Sequence, residues 1–229
     1  MLVRWCIPKR RTHAMQLTPF KSILFCALLN LCTASAWAQV EYTQISRLPA
    51  LTSPLDPSTQ KLLDDTRAKG GQIINLHLTY AHAPKIGAAN LTMAYALRFD
   101  AMAPRVLREL AIIRTAQIME SNYEINQHYP LGVICGLSKE QITLMPVWRE
   151  HGAMFDAKQK AVMAYTEAML GNKGEVDDAT YQALSNQFKP QEIVELTMAI
   201  SAYTSTALFT KALKTQIEPD GRFAAVGKC

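Results

Sequence analysis

The chain has 229 residues, of which 49% are hydrophobic and 19% are charged, a balance typical of a compact soluble domain. Its formal net charge of +5 comes from 24 basic and 19 acidic residues. The first 38 residues hold five of the bases and no acid, so the remainder carries equal numbers of both signs. That remainder has no basic excess of the kind that indicates nucleic-acid binding.

Residues 1–38 have the three parts of a secretory signal peptide. A basic segment is followed by the apolar run Ser22–Leu31 and by small residues that end at Ala38. The apolar run is shorter than the roughly 20 residues that span a bilayer. We therefore predict cleavage after Ala38, with the start at either Met1 or Met15, and a periplasmic or secreted protein without membrane association after cleavage. Residues 39–57 are predicted to form an extended arm.

Only Cys135 and Cys229 remain after the signal peptide. Two cysteines in an oxidising compartment can pair, but nothing in the local sequence favours this pairing. Cys135 lies at an apolar helix end, so we interpret it as a buried, inert thiol. There is no C-x-x-C motif, and dithiol redox chemistry is therefore not expected.

The chain from residue 58 to residue 229 predicts a single all-α domain. Prolines, glycines and capping residues divide it into helices, and no alternating run of β-branched residues indicates a strand. The helix at 123–135 is expected to kink at Pro130. The predicted helices cover residues 58–68, 73–81, 84–99, 104–119, 123–135, 138–145, 156–170, 177–188 and 191–213.

Two carboxylates and a histidine form a candidate proton-transfer site. Glu124 and His128 are four residues apart and share a helix face, so Glu124 is expected to orient the imidazole. Glu109 lies on the preceding helix beside apolar Ile113, which predicts a raised pKa for its carboxyl group. The alternatives are a surface pair between Glu124 and His128, and a surface Glu109 paired with Arg105.

The other histidines of this domain do not extend this site. His77, His82 and His151 are scattered without metal-ligand spacing, so no metal site is expected. His77 and His82 are interpreted as residues that cap carbonyls or line a core edge. Tyr203 is interpreted as a core residue, with a position in a pocket or an interface as the alternative.

The segment from Leu107 to Ile142, LRELAIIRTAQIMESNYEINQHYPLGVICGLSKEQI, resembles the carboxymuconolactone decarboxylase family within the larger alkylhydroperoxidase D-like (AhpD-like) group. The resemblance implies an AhpD-like domain of helix hairpins that assembles into a trimer or hexamer. The peroxidases of this group carry Glu, eleven residues, Cys, two residues, Cys, three residues and His. Counted from Glu109, Ser121 and Glu124 occupy the two cysteine positions and His128 the last, which disfavours thiol peroxidase activity.

The decarboxylase branch implies a reaction without cofactor, in which a small carboxylated lactone or related oxygenated acid loses carbon dioxide and is protonated at carbon. His128 would carry the proton, Glu124 would orient it, and Glu109 would act as a second acid. A non-catalytic small-molecule-binding protein with the same fold is the alternative. Four neighbouring polar residues are predicted to contact the substrate: Arg108, Arg114, Ser121 and Tyr123.

Overall fold

The computed structural model describes residues 46–48, 55–68, 70–223 and 229. The predicted signal peptide over residues 1–38 lies outside this part of the chain, as does most of the predicted arm over residues 39–57. Within the described part of the arm, the backbone N–H of Arg47 donates to the carbonyl of Leu213 at 2.8 Å.

The described residues form nine α-helices and two short 3₁₀ helices, and no strand occurs among them. The predicted all-α fold is confirmed. The 3₁₀ helices, Met145–Val147 and Gly152–Met154, follow the sixth α-helix and were not predicted. The α-helices are α1 (Pro57–Ala68), α2 (Asn75–Tyr80), α3 (Pro84–Phe99), α4 (Arg105–Ile118), α5 (Asn122–Ile134), α6 (Lys139–Leu144), α7 (Ala157–Gly171), α8 (Asp178–Ser185) and α9 (Pro190–Leu213).

Local sequence explains where most of these helices begin. The predicted cap of α6 is a capping box, in which the Ser138 hydroxyl accepts from the N–H of Gln141 at 3.0 Å and the Gln141 side chain accepts from the N–H of Ser138 at 2.9 Å. Asp156 caps α7 by accepting from the N–H of Gln159 at 2.8 Å. Pro84 begins α3, where its missing N–H costs nothing.

The hairpin of α4 and α5 positions the candidate site. Its turn places Glu120 in the left-handed region, with φ of +51°, which is unfavourable for a residue with a Cβ. The two helices approach closely at Gly132, where an added Cβ would lie 2.6 Å from Cδ1 of Ile113. Pro130 lies within α5 without ending it, and the chain turns after α5 at Gly136, with φ of +108°.

Helix α4 lies at the centre of the fold and packs against α5, α7 and α9. The main core joins these helices through fully buried side chains such as Leu110, Ile113, Met163 and Leu196. A smaller cluster from α1, α2 and α3 packs against Phe209 of α9. By length and composition α9 could cross a membrane, but the core helices of soluble proteins meet the same criteria, and its inner face is buried here.

Cys135 and Cys229 form a disulfide with their Cα atoms 5.0 Å apart. The interpretation of Cys135 as a buried, inert thiol is therefore wrong, and its side chain is half-buried at the end of α5. The two cysteines are separated by 94 residues, so no local pattern in the sequence indicated that they would meet.

Candidate acid–base site

A cavity of about 40 Å³ lies between α2, α3, α5 and α9, with room for about two or three water molecules. Apolar and aromatic side chains form much of its wall. Its lining also includes ionisable and polar groups: His77, Arg98, Glu124, Gln127, His128 and Tyr203. The cavity therefore combines an apolar interior with acid, base and cation in one small space.

His128 is held from behind by Glu109, which is buried and does not line the cavity. Nδ1 of His128 lies 2.7 Å from Oε2 of Glu109. An ionised carboxylate can only accept a hydrogen bond, so this contact places the imidazole proton on Nδ1. Nε2 of the neutral ring is then left as a proton acceptor.

Arg105 completes the arrangement behind His128. Its Nε donates to Oε1 of Glu109 at 2.7 Å, and both side chains are buried. Burial alone would raise the pKa of Glu109, but the attraction of His128 and Arg105 outweighs burial and lowers this pKa to about 2. The predicted rise in the pKa of Glu109 is wrong because Arg105 is buried beside it. The sequence had suggested this pair only as a surface alternative.

Glu124 lies on the other side of the imidazole and has a different environment. Its Oε2 is 3.8 Å from Nε2 of His128, beyond hydrogen-bond distance, and its buried Oε1 has no hydrogen-bond partner in the described protein. Burial raises the pKa of Glu124 to about 8, with Arg98 opposing and Glu218 adding to the rise. Glu124 is therefore protonated at neutral pH, and Glu109 orients His128 in its place.

The imidazole itself is neutral at neutral pH. Burial lowers the pKa of His128 and the nearby arginines act in the same direction, whereas Glu109 opposes them. Tyr203 contacts the ring edge-on, with centroids 4.6 Å apart and planes at 85°. The Glu109 hydrogen bond and the Tyr203 contact together fix the orientation of the ring.

The sequence does not predict a role for Arg98 and favours a core position for Tyr203 over the pocket that it lines. Arg98 lines the cavity from α3 and hydrogen-bonds with Tyr203. Thirty residues separate it from His128, and its one signal in the sequence is a lone arginine in the apolar stretch LTMAYALRF. His77 lines the cavity, as expected of a core-edge residue, and burial lowers its pKa to about 3.

Residues 84–168 match the model of the carboxymuconolactone decarboxylase family, and this range contains Glu109, Glu124 and His128. Over these residues the chain is similar to the carboxymuconolactone decarboxylase family. The resemblance noted in the sequence is thereby confirmed. No curated protein sequence matches the chain significantly.

Several solved structures share the fold of this chain. An uncharacterized peroxidase-related protein from Silicibacter sp. TM1040 is 19% identical, with a TM-score of 0.65 over 75% of this chain and 93% of that one. An alkylhydroperoxidase AhpD core protein from Ralstonia eutropha JMP134 is 19% identical, with a TM-score of 0.62 over 79% and 98%. The debrominase Bmp8 is 14% identical, with a TM-score of 0.64 over 76% and 93%.

The two arginines predicted to bind substrate lie outside the lining of the cavity. Arg108 donates from Nε to the carbonyl of Ala103 at 2.9 Å and also bonds the carbonyl of Leu97. Arg114 pairs with Glu167 at 2.7 Å. Arg108 thereby joins α4 to α3, and Arg114 joins α4 to α7.

Ser121 and Tyr123 were also predicted to contact the substrate, and they too lie outside the lining of the cavity. Ser121 is buried and caps α5 by accepting from the N–H of Glu124 at 3.5 Å. The Tyr123 hydroxyl accepts from the N–H of Leu76 at 3.1 Å and donates to Glu218 at 3.0 Å. Of the seven residues predicted from sequence, only Glu124 and His128 line the cavity, and Glu109 supports them from behind.

Proposed function

We propose that the chain is a secreted, homo-oligomeric acid–base enzyme that requires no cofactor. It would remove carbon dioxide from a small carboxylated lactone or related oxygenated acid. The match of residues 84–168 to the carboxymuconolactone decarboxylase family supports the type of reaction. The Cys135–Cys229 disulfide supports an oxidising compartment.

The proposal rests on two neighbouring groups in the cavity, one of which can accept a proton while the other can donate one. Nε2 of a neutral His128 accepts a proton, and the neutral carboxyl group of Glu124, 3.8 Å away, donates one. A general acid with a pKa near the working pH is well matched to proton transfer. Glu109 and Arg105 keep the proton of His128 on Nδ1 and stabilise the imidazolium that forms when Nε2 is protonated.

These groups account for the proton balance of a decarboxylation. The bond between the substrate carbon and its carboxylate breaks, carbon dioxide leaves, and the electron pair moves into the unsaturated lactone. Glu124 then gives its proton to carbon. Solvent supplies a replacement proton, which Nε2 of His128 accepts and passes to Glu124.

Thiol chemistry is disfavoured on two observations. The lining of the cavity contains no cysteine, and Cys135 is joined to Cys229 in a disulfide. A thiolate peroxidase needs a reactive thiol within reach of its substrate. Ser121 and Glu124, at the positions of the peroxidase dithiol, supply oxygen atoms only.

The test is turnover of a panel of lactone carboxylates and β-keto acids by the purified protein and its variants. We expect His128→Ala and Glu124→Gln to reduce kcat by about 10²–10⁴. The exposed His151→Ala and Glu140→Gln are matched controls and should keep wild-type rates. If all five proteins show background rates while the same compounds raise the melting temperature, the chain is a binding protein and the enzyme proposal fails.

A further inference from the structure

The segment after α9 contributes a buried carboxylate next to the cavity. We name residues 214–223 the C-terminal strap. It leaves α9 at Lys214, which has φ of +52°, and most of its side chains are exposed. Glu218 is an exception, with 3% of its surface exposed. Proteins rarely bury a carboxylate without specific partners, so its surroundings require an explanation.

Three donors converge on the Glu218 carboxylate. The backbone N–H of Asn75 donates to Oε1 at 2.5 Å and the Tyr123 hydroxyl donates to the same oxygen at 3.0 Å. Nε2 of Gln127 donates to Oε2 at 2.7 Å. We name these three groups the carboxylate cradle. A carboxylate that accepts such bonds on both oxygens is recognised by shape as well as by charge.

The carboxylate cradle adjoins the candidate site. Gln127 precedes His128 in the chain and lines the same cavity, with its side chain buried. Tyr123 precedes Glu124 on the same helix. The charge of Glu218 is near enough to contribute to the raised pKa of Glu124. Two of the three cradle donors are thus the immediate chain neighbours of the acid and the base on α5.

The cavity is smaller than most small-molecule sites, and the strap reaches it only through Gln127, because no strap residue lines it. Small-molecule sites commonly enclose about 300–1,000 Å³, whereas this cavity encloses about 40 Å³. Four hydrogen bonds join Gln216 and Glu218 to α2 and α5, and three of them end on the Glu218 carboxylate. Replacing that carboxylate with one from a ligand would preserve the three bonds in the cradle while the strap leaves.

We propose that the N–H of Asn75, the Tyr123 hydroxyl and the Gln127 amide form a carboxylate-binding subsite, which Glu218 fills in the resting chain and a carboxylated ligand fills when the strap moves away. The inference deepens the proposed function and rests on it for the chemistry that follows binding. The strap is then an internal competitor that excludes ligands lacking a carboxylate.

Chemical rescue tests the subsite without any assay of turnover. Glu218→Ala in the full chain removes the competing carboxylate and leaves its three donors unsatisfied, so the melting temperature should fall. Propionate should restore part of that loss in a concentration-dependent way and bind the variant about tenfold more tightly than it binds wild type. Propionamide, which matches it in shape but has no charge, should restore nothing, and the exposed Glu175→Ala should respond to neither compound.

Equal responses to propionate and propionamide, or none to either, would overturn the subsite. If Glu218→Ala does not fold, hydrogen exchange in the wild-type protein decides instead. A γ-lactone carboxylate should speed exchange of the strap amides and its methyl ester should not; unchanged exchange with both overturns the proposal. Rescue by propionate in the His128→Ala, Glu218→Ala double variant, without turnover by any protein, would leave the subsite standing and the enzyme proposal refuted.

Discussion

The two carboxylates beside His128 differ in protonation although they are equally buried. Glu109 and Glu124 expose 1% and 2% of their surfaces, yet the pKa of one falls to about 2 and that of the other rises to about 8. Glu109 contacts Arg105 and the imidazole at 2.7 Å each, whereas Oε1 of Glu124 has no partner in the described protein. Contacts with nearby partners, and not burial, therefore decide that Glu109 is ionised and Glu124 is protonated.

Replacing each carboxylate by its amide should have very different effects on stability. Glu109→Gln removes the counter-charge of buried Arg105 and should lower the free energy of unfolding by about 3–5 kcal/mol at pH 7. Glu124→Gln replaces a protonated acid by a neutral amide and removes the cost of keeping this carboxyl group protonated at pH 7, so it should leave the free energy of unfolding unchanged or raise it, by up to about 3 kcal/mol. Urea unfolding of both variants beside wild type measures the difference, and equal losses would mean that the two sides of His128 are alike.

The sequence predicted the helices well because their ends are set by local chemistry. Proline in the first turn and Ser or Asp at the N-cap are general signals of a helix start, as Pro84, Ser138 and Asp156 are here. The start of α3 at Pro84 was predicted to the residue, and α8 ends three residues before the predicted Phe188. Boundaries of this kind depend on a few neighbouring residues and need no tertiary information.

The roles within the site could not be predicted in the same way. Spacing of four residues correctly placed Glu124 and His128 on one face, but the close approach of α4 and α5 at Gly132 decides that Glu109 is the carboxylate bonded to the ring. Arg98 and Glu218 come from distant parts of the chain, and no spacing relates them to His128. The oligomer, the secretion and the signal peptide remain predictions.

The contributions of the two carboxylates to stability should change in opposite directions with pH. Glu124 ionises in the unfolded chain near 4.5 but in the folded chain only near 8, so its contribution is complete below pH 4.5 and is lost as the pH rises toward 8. Glu109 behaves oppositely, and its contribution is lost as the pH falls from 4.5 toward 2. The free energy of unfolding of wild type minus that of Glu124→Gln should fall by up to about 1.4 kcal/mol per pH unit between pH 5 and 8.

This subtraction cancels the buried histidines, which titrate in the same range. A difference curve that is flat between pH 5 and 8, measured by urea unfolding in one series of buffers, would show that Glu124 is ionised in the folded protein. A curve that is flat in this range but rises with pH between 2 and 4.5 would give Glu124 the behaviour assigned to Glu109.

Replacing Arg98 should change the pKa of Glu124 and leave Glu109 ionised. Arg98 opposes the raised pKa of Glu124, so Arg98→Gln should raise this pKa further, by about one pH unit. Glu109 should remain ionised because Arg105 still contacts it. Carbon-13 NMR of labelled glutamate carboxyl groups measures both titrations, and a downward shift for Glu124 would contradict the account.

Tyr203→Phe should have the smallest effect of these changes. The variant keeps the aromatic edge against His128 and loses only the hydroxyl group that bonds Arg98. We expect a loss of about 1 kcal/mol in unfolding free energy and less than a tenfold fall in kcat. A fall as large as that of His128→Ala would mean that the Tyr203 hydroxyl itself takes part in proton transfer.

The central claim is that His128 is a neutral imidazole with its proton on Nδ1, held between an ionised and a protonated carboxyl group. Long-range nitrogen-15 NMR of the labelled histidines, assigned by comparison with His128→Ala, tests it directly at pH 7. We expect a protonated Nδ1 and an unprotonated Nε2 for His128. Two protonated nitrogens, or a proton on Nε2 alone, would contradict it.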